Sequence, residues 1–395
     1  MKELALEFER SRALRSLPPY LFIEIDRKKK LALAAGVDLV DLGVGDPDRP
    51  TPPPLIRALQ KAAAKAAYHQ YPLGSGMPAY RQAVADWFKK RFKVSLDPAS
   101  EVLATIGSKE AIGHFPIAFV DPGDVVLCPD PGYPVYAAGA RFVGAVPVAM
   151  PLLRKNKFLP DFGAIDKKAL KRARLMWLNY PNNPTAATCD LAFFRKAVAF
   201  CRKHSIILAH DMAYSEVYEG KAKPPSVLQV EGARDIAIEF HSLSKTFNMT
   251  GWRVGFAVGK AQLVAGLAAA KGNLDSGVVS AIQEMGIAAL RAPDSLAKSV
   301  RSVYARRREI LVGGLKDAGF EVFPSRAAFY VWIKVPAGRS SAEFCGLLLE
   351  KAGIVATPGN GFGAAGEGYF RLTLTAPEDR LRLAVKRLSS FMAQA

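Results

Sequence analysis

The sequence has little sulfur or imidazole with which to build a metal or disulfide centre. Cys128, Cys189, Cys201 and Cys345 are scattered over 395 residues without a C-x-x-C pair, which excludes a disulfide framework and a zinc ribbon. The five histidines, His69, His114, His204, His210 and His241, form no H-E-x-x-H pattern, so no metal site is expected. Long apolar runs are missing too: nothing approaches the roughly 18 residues of a membrane span. The opening Met1-Lys2-Glu3-Leu4-Ala5-Leu6-Glu7-Phe8 is charged and amphipathic where a secretion signal would be apolar. The expectation is a soluble protein of the cytoplasm with no membrane partner. There is no internal repeat and no low-complexity linker.

Acidic residues are the scarcer charge. Asp and Glu number 36 against 54 Lys and Arg, a formal net charge of +18, and such a balance raises nucleic acid as a partner. The bases are spread out, however. Their densest clusters are Arg27-Lys28-Lys29-Lys30, Lys89-Lys90-Arg91, Lys167-Lys168 with Lys171-Arg172, and Arg306-Arg307-Arg308. Each lies in a segment with helical apolar spacing, so each is expected to be a solvated helix face. No helix-turn-helix, finger spacing or aromatic-interleaved basic tract accompanies them, and no nucleic-acid partner is expected. With half the residues apolar and 23% charged, the chain is globular and long enough for two or three domains.

Between about residues 100 and 260, short apolar runs alternate with helical stretches. The runs are Glu101 to Ile106, Asp124 to Cys128, Val146 to Met150, Leu175 to Asn179, Ile206 to His210, Ile236 to Phe240 and Val254 to Val258. Near-continuous apolar runs of this length are strands buried on both faces, which predicts an α/β fold with a mostly parallel central sheet and helices on both faces. A helical pattern from Ala288 to Leu315 opens a second region. Strand-like Phe329 to Val335, a helix from Ser341 to Ala352, strand-like Ile354 to Thr357, a Gly-rich loop, strand-like Phe370 to Thr375 and a last helix follow. That mixed pattern predicts a smaller α+β domain over 288–395. Residues 48–287 form the large domain, and 1–47 are too short to fold alone and join the small one.

Ligands in parallel sheets bind at the carboxyl ends of strands, so the polar residues after each run are the candidates. Ser242-Leu243-Ser244-Lys245 follows one run, with Arg253 eight residues later in Gly251-Trp252-Arg253. Hydroxyls and a guanidinium make an anion site suited to phosphate. A lysine beside such a site is what covalent attachment of pyridoxal phosphate requires. Gly107-Ser108-Lys109 opens a helix whose N–H groups favour phosphate. Asp211 and Tyr214, the Asn179 to Thr185 turn with Asn183, and Tyr133 in Pro131-Gly132-Tyr133 stand after other runs. Singly, an acid there is a turn cap and such a turn only a loop; their shared position gives them weight.

Asn183-Pro184-Thr185, Asp211-x-x-Tyr214, Ser242-x-Ser244-Lys245 with Arg253, and Arg371 in Phe370-Arg371-Leu372-Thr373 occur in that order. This set resembles the class I/II aminotransferases, fold-type-I pyridoxal-phosphate enzymes, and the resemblance runs from about Tyr20 to the last helix. It implies that Lys245 bonds to pyridoxal 5'-phosphate and moves the substrate proton, that Asp211 pairs with the ring nitrogen, and that Asn183 and Tyr214 bond the ring's phenolic oxygen. Tyr133 would stack on the ring. Ser108, the backbone of Lys109, Ser242, Ser244 and Arg253 would hold the phosphate. Arg371 would fork onto the substrate α-carboxylate, with Gly43 giving backbone room there and Tyr20 touching substrate. Tyr71 would reach the cofactor of a neighbouring subunit, which implies a homodimer with shared sites. One departure stands out: Ala186 occupies the position where the family motif continues with Gly, beside the turn that bears Asn183.

The implied reaction moves an amino group between an amino acid and a 2-oxo acid by a ping-pong cycle. A carbon–sulfur lyase of similar fold would share Lys245, and a cofactor-binding regulator would need a DNA-binding module that residues 1 to 40 are too few to supply. Cofactor motifs do not read the side-chain pocket, so aspartate, alanine or another amino acid stays open as substrate.

Overall fold

All seven apolar runs between residues 100 and 260 pair into one sheet. The structure, a computed structural model, describes residues 8–18, 21–72, 74–324 and 326–394, and of residues 21–24 the backbone alone. Tyr20 lies outside the described residues. In chain order the strands are β1 (Val40–Asp41), β2 (Val102–Thr105), β3 (Val125–Asp130), β4 (Val146–Pro151), β5 (Ala173–Asn179), β6 (Ile207–Asp211), β7 (Ala237–Ser242), β8 (Gly255–Gly259), β9 (Tyr330–Lys334), β10 (Ile354–Val355), β11 (Thr357–Pro358) and β12 (Tyr369–Thr373). The large sheet has the order β2-β8-β7-β6-β5-β3-β4. Only β8 runs against its neighbours, so β2, β5, β6 and β7 deliver their carboxyl ends to one side.

The alternation of a strand decides what each face buries. Leu103, Val126, Trp177, Ala209 and Phe240 pack on the helices Gly107–Phe119, Val135–Phe142 and Ala261–Gly272. Ala104, Leu127, Met176, Leu208 and Phe256 pack on Pro78–Phe92, Leu191–His204 and Ser280–Arg291. Edge strand β4 is largely exposed and carries Pro147 and Pro151, which cannot donate to a further strand.

A separate core gathers the later region. β11-β12-β9 form a three-stranded antiparallel sheet, and Tyr304, Leu311, Phe329, Ile333, Phe344, Leu348, Phe370 and Leu388 fill the space between it and helices Asp294–Asp317, Ser341–Ala352 and Glu378–Ala393. β1 pairs in parallel with β10, which brings the residues around Asp41 to this unit.

Three expectations are corrected. The helical pattern from Ala288 to Leu315 is two helices, Ser280–Arg291 and Asp294–Asp317. Pro293 excludes the helical conformation for Ala292, whose ψ is 150°. The strand expected at Ile354 to Thr357 is split between two partners, β1 and β12. The basic clusters are only partly solvated. Arg307 and Arg308 are buried, and Arg307 makes a bidentate pair with Asp48 at 2.7 and 2.8 Å. Arg91 pairs with Glu216 at 2.8 Å. Long stems follow the apolar surface and the heads find acceptors, so a run of bases does not by itself define one face.

Asp48→Ala leaves the buried Arg307 guanidinium without its carboxylate. Chemical denaturation is expected to show a loss of about 3 kcal/mol; a loss within error of zero would mean that the Leu374 carbonyl, 3.0 Å from Arg307 Nη1, suffices.

Candidate active site

A cavity of about 390 Å³ opens at the carboxyl ends of β2, β5, β6 and β7. Val44, Gly45, Asp46, Ser108, Lys109, Tyr133, Asn183, Asp211, Ala213, Tyr214, Ser242, Ser244, Lys245, Thr250, Arg253, Tyr330 and Arg371 line it. The large sheet supplies the floor. Tyr330 and Arg371, from neighbouring strands β9 and β12, supply the opposite wall.

Asp211 ends β6 and is buried. Its Oδ2 accepts a hydrogen bond from Tyr136 Oη at 2.7 Å, and its Oδ1 faces the Ala213 N–H at 3.3 Å. Burial pushes the carboxyl up, against the pull of the Tyr136 hydrogen bond, so a cationic N–H brought into the cavity would be stabilised there. Asn179 Nδ2 donates to the Asp211 carbonyl at 2.8 Å while Asn179 Oδ1 accepts from Asn183 N at 2.8 Å. One side chain thus ties the strand end to the turn.

Asn183 Oδ1 accepts from Arg371 Nη1 at 2.7 Å, and Arg371 Nη2 donates to the Gly43 carbonyl. The guanidinium carbon lies 4.3 Å from the Tyr330 ring centroid and 4.7 Å from that of Phe362, cation–π contacts that help to hold it in place. Tyr214 Oη and Tyr330 Oη are 2.7 Å apart. Ala186 takes φ +56°, a left-handed conformation that costs a side chain energy. The turn nevertheless keeps its bonds, Ala186 N to Asn182 O and Asn182 N to Ala187 O, both 2.9 Å.

Lys245 lies in the helical turn Leu243–Thr246 capped by Ser242, whose Oγ accepts from Ser244 N at 3.2 Å. Its Nζ reaches the Gly45 carbonyl at 3.4 Å. Burial lowers the ammonium to about 8, with Asp46 opposing the shift and Arg253 and Arg371 adding to it. A lysine so depressed has far more neutral, nucleophilic amine near neutrality than an ordinary one.

Gly43 stands behind the wall and holds Arg371 through its carbonyl, whereas Gly45 lines the cavity. A Cβ on Gly45 would stand 2.5 Å from the Tyr330 ring, so the close approach requires glycine there. Tyr71 is 89% exposed and is not part of this chain's cavity wall. Sequence reasoning missed Gly45, Asp46, Tyr136, Thr250 and Tyr330. Tyr136 is one helical turn beyond Tyr133, a spacing that could have indicated it; Tyr330 carries no local signal, since only strand pairing brings it beside Arg371. Among the described residues one group, Glu110, His114 and Asp275, brings metal-ligand atoms together. The Lys271 ammonium already lies among them, 3.3 Å from Glu110 and 2.8 Å from Asp275.

The fold and this cavity belong to a class with a defined chemistry. The family Aminotransferase class I and II matches residues 37–388, and the chain belongs to it: it is a pyridoxal-phosphate-dependent aminotransferase. It is similar to LL-diaminopimelate aminotransferase of Aquifex aeolicus (strain VF5), 54% identical over 97% of this chain and 99% of the relative. It is also similar to the protein of that name from Nitratidesulfovibrio vulgaris (strain DSM 19637 / Miyazaki F), 53% identical over 97% and 99%. Among solved structures, substrate-bound BacF from Bacillus subtilis superposes with TM-score 0.93 at 35% identity, covering 98% of each chain. Aspartate aminotransferase from Thermus thermophilus with maleate gives 0.89 at 28%, covering 97% of this chain and all of the other.

The wall suits the cofactor on its own chemistry. Ser244 Oγ is buried without a hydrogen-bond partner, a donor that a phosphate oxygen would satisfy. Gly107 (φ +70°) opens the helix Gly107–Phe119, and a Cβ there would stand 2.6 Å from Arg253 Nη2. Only glycine lets the guanidinium and the helix N-terminus converge, an arrangement suited to an anion.

Tyr136→Phe removes the side-chain donor to the Asp211 carboxylate. Titration of cofactor-free protein is expected to show pyridoxal phosphate bound about tenfold more weakly, the worth of one hydrogen bond to a charged group. Unchanged affinity would mean that Asp211 does not depend on Tyr136.

Proposed function

We propose that the chain transfers an amino group between LL-diaminopimelate with tetrahydrodipicolinate and glutamate with 2-oxoglutarate, a step in lysine biosynthesis. The observation that carries this reading is identity above 50%, over nearly the whole chain, with relatives bearing that name. The strings HQYPLGSGMPAYR, IGSKEAI, PDPGYPVY, NYPNNPT, EFHSLSKTFNMTGWR and TPGNGFG resemble the same group. The relatives do not favour a carbon–sulfur lyase.

Pyridoxal phosphate supplies an electron sink, a protonated pyridine ring that takes up the pair left when the substrate's Cα–H bond breaks. Lys245 Nζ would hold the cofactor covalently and, once freed by the substrate amine, would serve as the base that carries the substrate's Cα proton. Asp211 would accept from the ring N–H and favour a protonated nitrogen. Asn183 and Tyr214 would donate to the phenolic oxygen, and Tyr133 would stack on the ring. Ser108, the Lys109 N–H, Ser242, Ser244 and Arg253 would hold the phosphate. Arg371 binds the α-carboxylate with its fork, already aimed by Asn183, Gly43 and the two flanking rings.

The domain division 1–47, 48–287 and 288–395 belongs to the same reading, supported by the separate later core and by the pairing of β1 with β10. So does a homodimer, for which the 89% exposure of Tyr71 and the exposed Leu274 and Val279 speak. A cytoplasmic location fits a biosynthetic enzyme, and among the described residues no helix is long and apolar enough to cross a membrane.

Lys245→Ala is expected to lose the visible absorbance of covalently held cofactor and nearly all turnover; a normal spectrum and rate would refute the assignment. In the wild type, the rate at which cofactor-free protein captures pyridoxal phosphate should rise with pH around a midpoint near 8, because the neutral amine is the nucleophile. A midpoint near the ordinary lysine value would contradict the burial argument. A coupled assay should offer LL-diaminopimelate, aspartate, alanine and aromatic amino acids separately with 2-oxoglutarate. LL-diaminopimelate is expected to have the highest kcat/KM, and aspartate or alanine ahead by orders of magnitude would refute the substrate. Light scattering should give twice the 42.7 kDa of one chain; a monomer that is fully active would remove the role of Tyr71.

A further inference from the structure

A second polar cluster lies on the opposite face of the large sheet, behind the cavity. Glu239 of β7 is fully buried and accepts four hydrogen bonds. His210 Nδ1 stands at 2.9 Å, His241 Nε2 at 2.6 Å, Ser226 Oγ at 3.0 Å and Val227 N at 3.0 Å. Burial would push its carboxyl up, but the bonds to His210 and His241 more than offset this and hold it near 2, so Glu239 is a carboxylate. Around it are aromatic rings: Phe194 packs on His210 at 4.9 Å, and Phe256 stacks on His241 at 4.7 Å. Apolar side chains of similar volume would fill such a place at less cost than a charge, so packing alone does not account for it.

His210 is the residue before Asp211 and points to the other face, as strand alternation requires. In register it pairs with Glu239 on β7 and Leu178 on β5. Its Nε2 lies 3.1 Å from the Tyr180 carbonyl and 3.3 Å from the Tyr180 N–H. Tyr180 begins the turn that carries Asn183. The strand end and the turn are therefore tied twice, through Asn179 on the cavity side and through His210 on the far side. A leucine at 210 would fill volume but fix no direction; a ring bonded to β7 at one nitrogen and to the Tyr180 peptide at the other fixes both.

We propose that Glu239 and His210 form a positioning pair: the carboxylate orients the ring, and the ring sets the distance between the strand end bearing Asp211 and the turn bearing Asn183. This rests on the reading that Asp211 and Asn183 grip opposite parts of the cofactor ring. Neither member of the pair lines the cavity, so their effect passes through those two residues. His241 clamps the carboxylate from its other side.

The test uses the cofactor-loaded enzyme and four proteins: wild type, Glu239→Gln, His210→Gln, and Leu348→Ala as a control that loosens a core distant from the pair. Circular dichroism in the absorption band of the bound cofactor, per cofactor bound, reports the ring's orientation and does not depend on global stability. Both pair variants are expected to keep the covalently held cofactor through Lys245 and to lose about half or more of that signal. Their kcat should fall by about 100-fold with KM within about threefold, as expected of small misplacement of reacting groups. Leu348→Ala should melt at lower temperature with signal and kcat unchanged. Should Glu239→Gln fail to fold, His210→Gln carries the test alone. Variants that melt lower but keep wild-type signal and kcat overturn the pair and leave the function standing. A wild type that holds no cofactor overturns both.

Discussion

The Arg371 guanidinium, nearly inaccessible to solvent, joins parts of the chain that the sequence keeps far apart. Its Nη1 bonds Asn183 on a turn after β5, its Nη2 bonds the Gly43 carbonyl near β1, and its own strand is β12. The rings of Tyr330 and Phe362 pack against it. A buried cation is costly unless its donors are used, and burial already draws this guanidinium down from its ordinary value. The cleft therefore closes in one arrangement, with the small sheet's wall set against the large sheet's strand ends. It also leaves the cation poised to gain from a carboxylate brought into the cavity.

Asp211 presents the complementary problem on the floor. A carboxylate at the end of a central parallel strand is buried by the sheet itself, and burial raises it. Tyr136 on the cavity side answers part of that cost with a hydrogen bond. Under the proposed reading, the pyridine N–H of the family's cofactor would answer more of it. The cavity thus carries an unsatisfied preference at each pole: a hydroxyl and guanidinium for an anion at the Ser244 and Arg253 end, and an acid for an N–H at the Asp211 end. One molecule with a phosphate and a protonated ring nitrogen meets both.

Most strands were legible because a strand covered on both faces must be apolar at nearly every position; all seven apolar runs pair in one sheet, although β8 runs antiparallel and edge strand β4 is largely exposed. Motif residues after them were legible for a related reason, since the strand ends share one edge. What depends on long-range packing was not. Pro293 divides a pattern that periodicity reads as continuous. Arg307 and Arg308 look like surface charge until Asp48, Ala328 and Glu219 are brought to them. Tyr330 reaches the site only through its register beside β12, and Gly45, two residues past the glycine selected from sequence, is distinguished only by the ring it must accommodate. Ala186 carries a side chain into left-handed backbone, yet the turn beside it stays bonded.

The account turns on Arg371 as the reader of the α-carboxylate, and a discrimination measurement tests this most directly. Single-turnover rates would be compared for an amino acid and for the amine that lacks only its α-carboxylate, in the wild type and in Arg371→Gln. The account predicts that the wild type prefers the amino acid by about 1000-fold or more and that the variant loses most of that preference while reacting with the amine at a similar rate. A variant that keeps the full preference would show that another group reads the carboxylate, and would contradict the account.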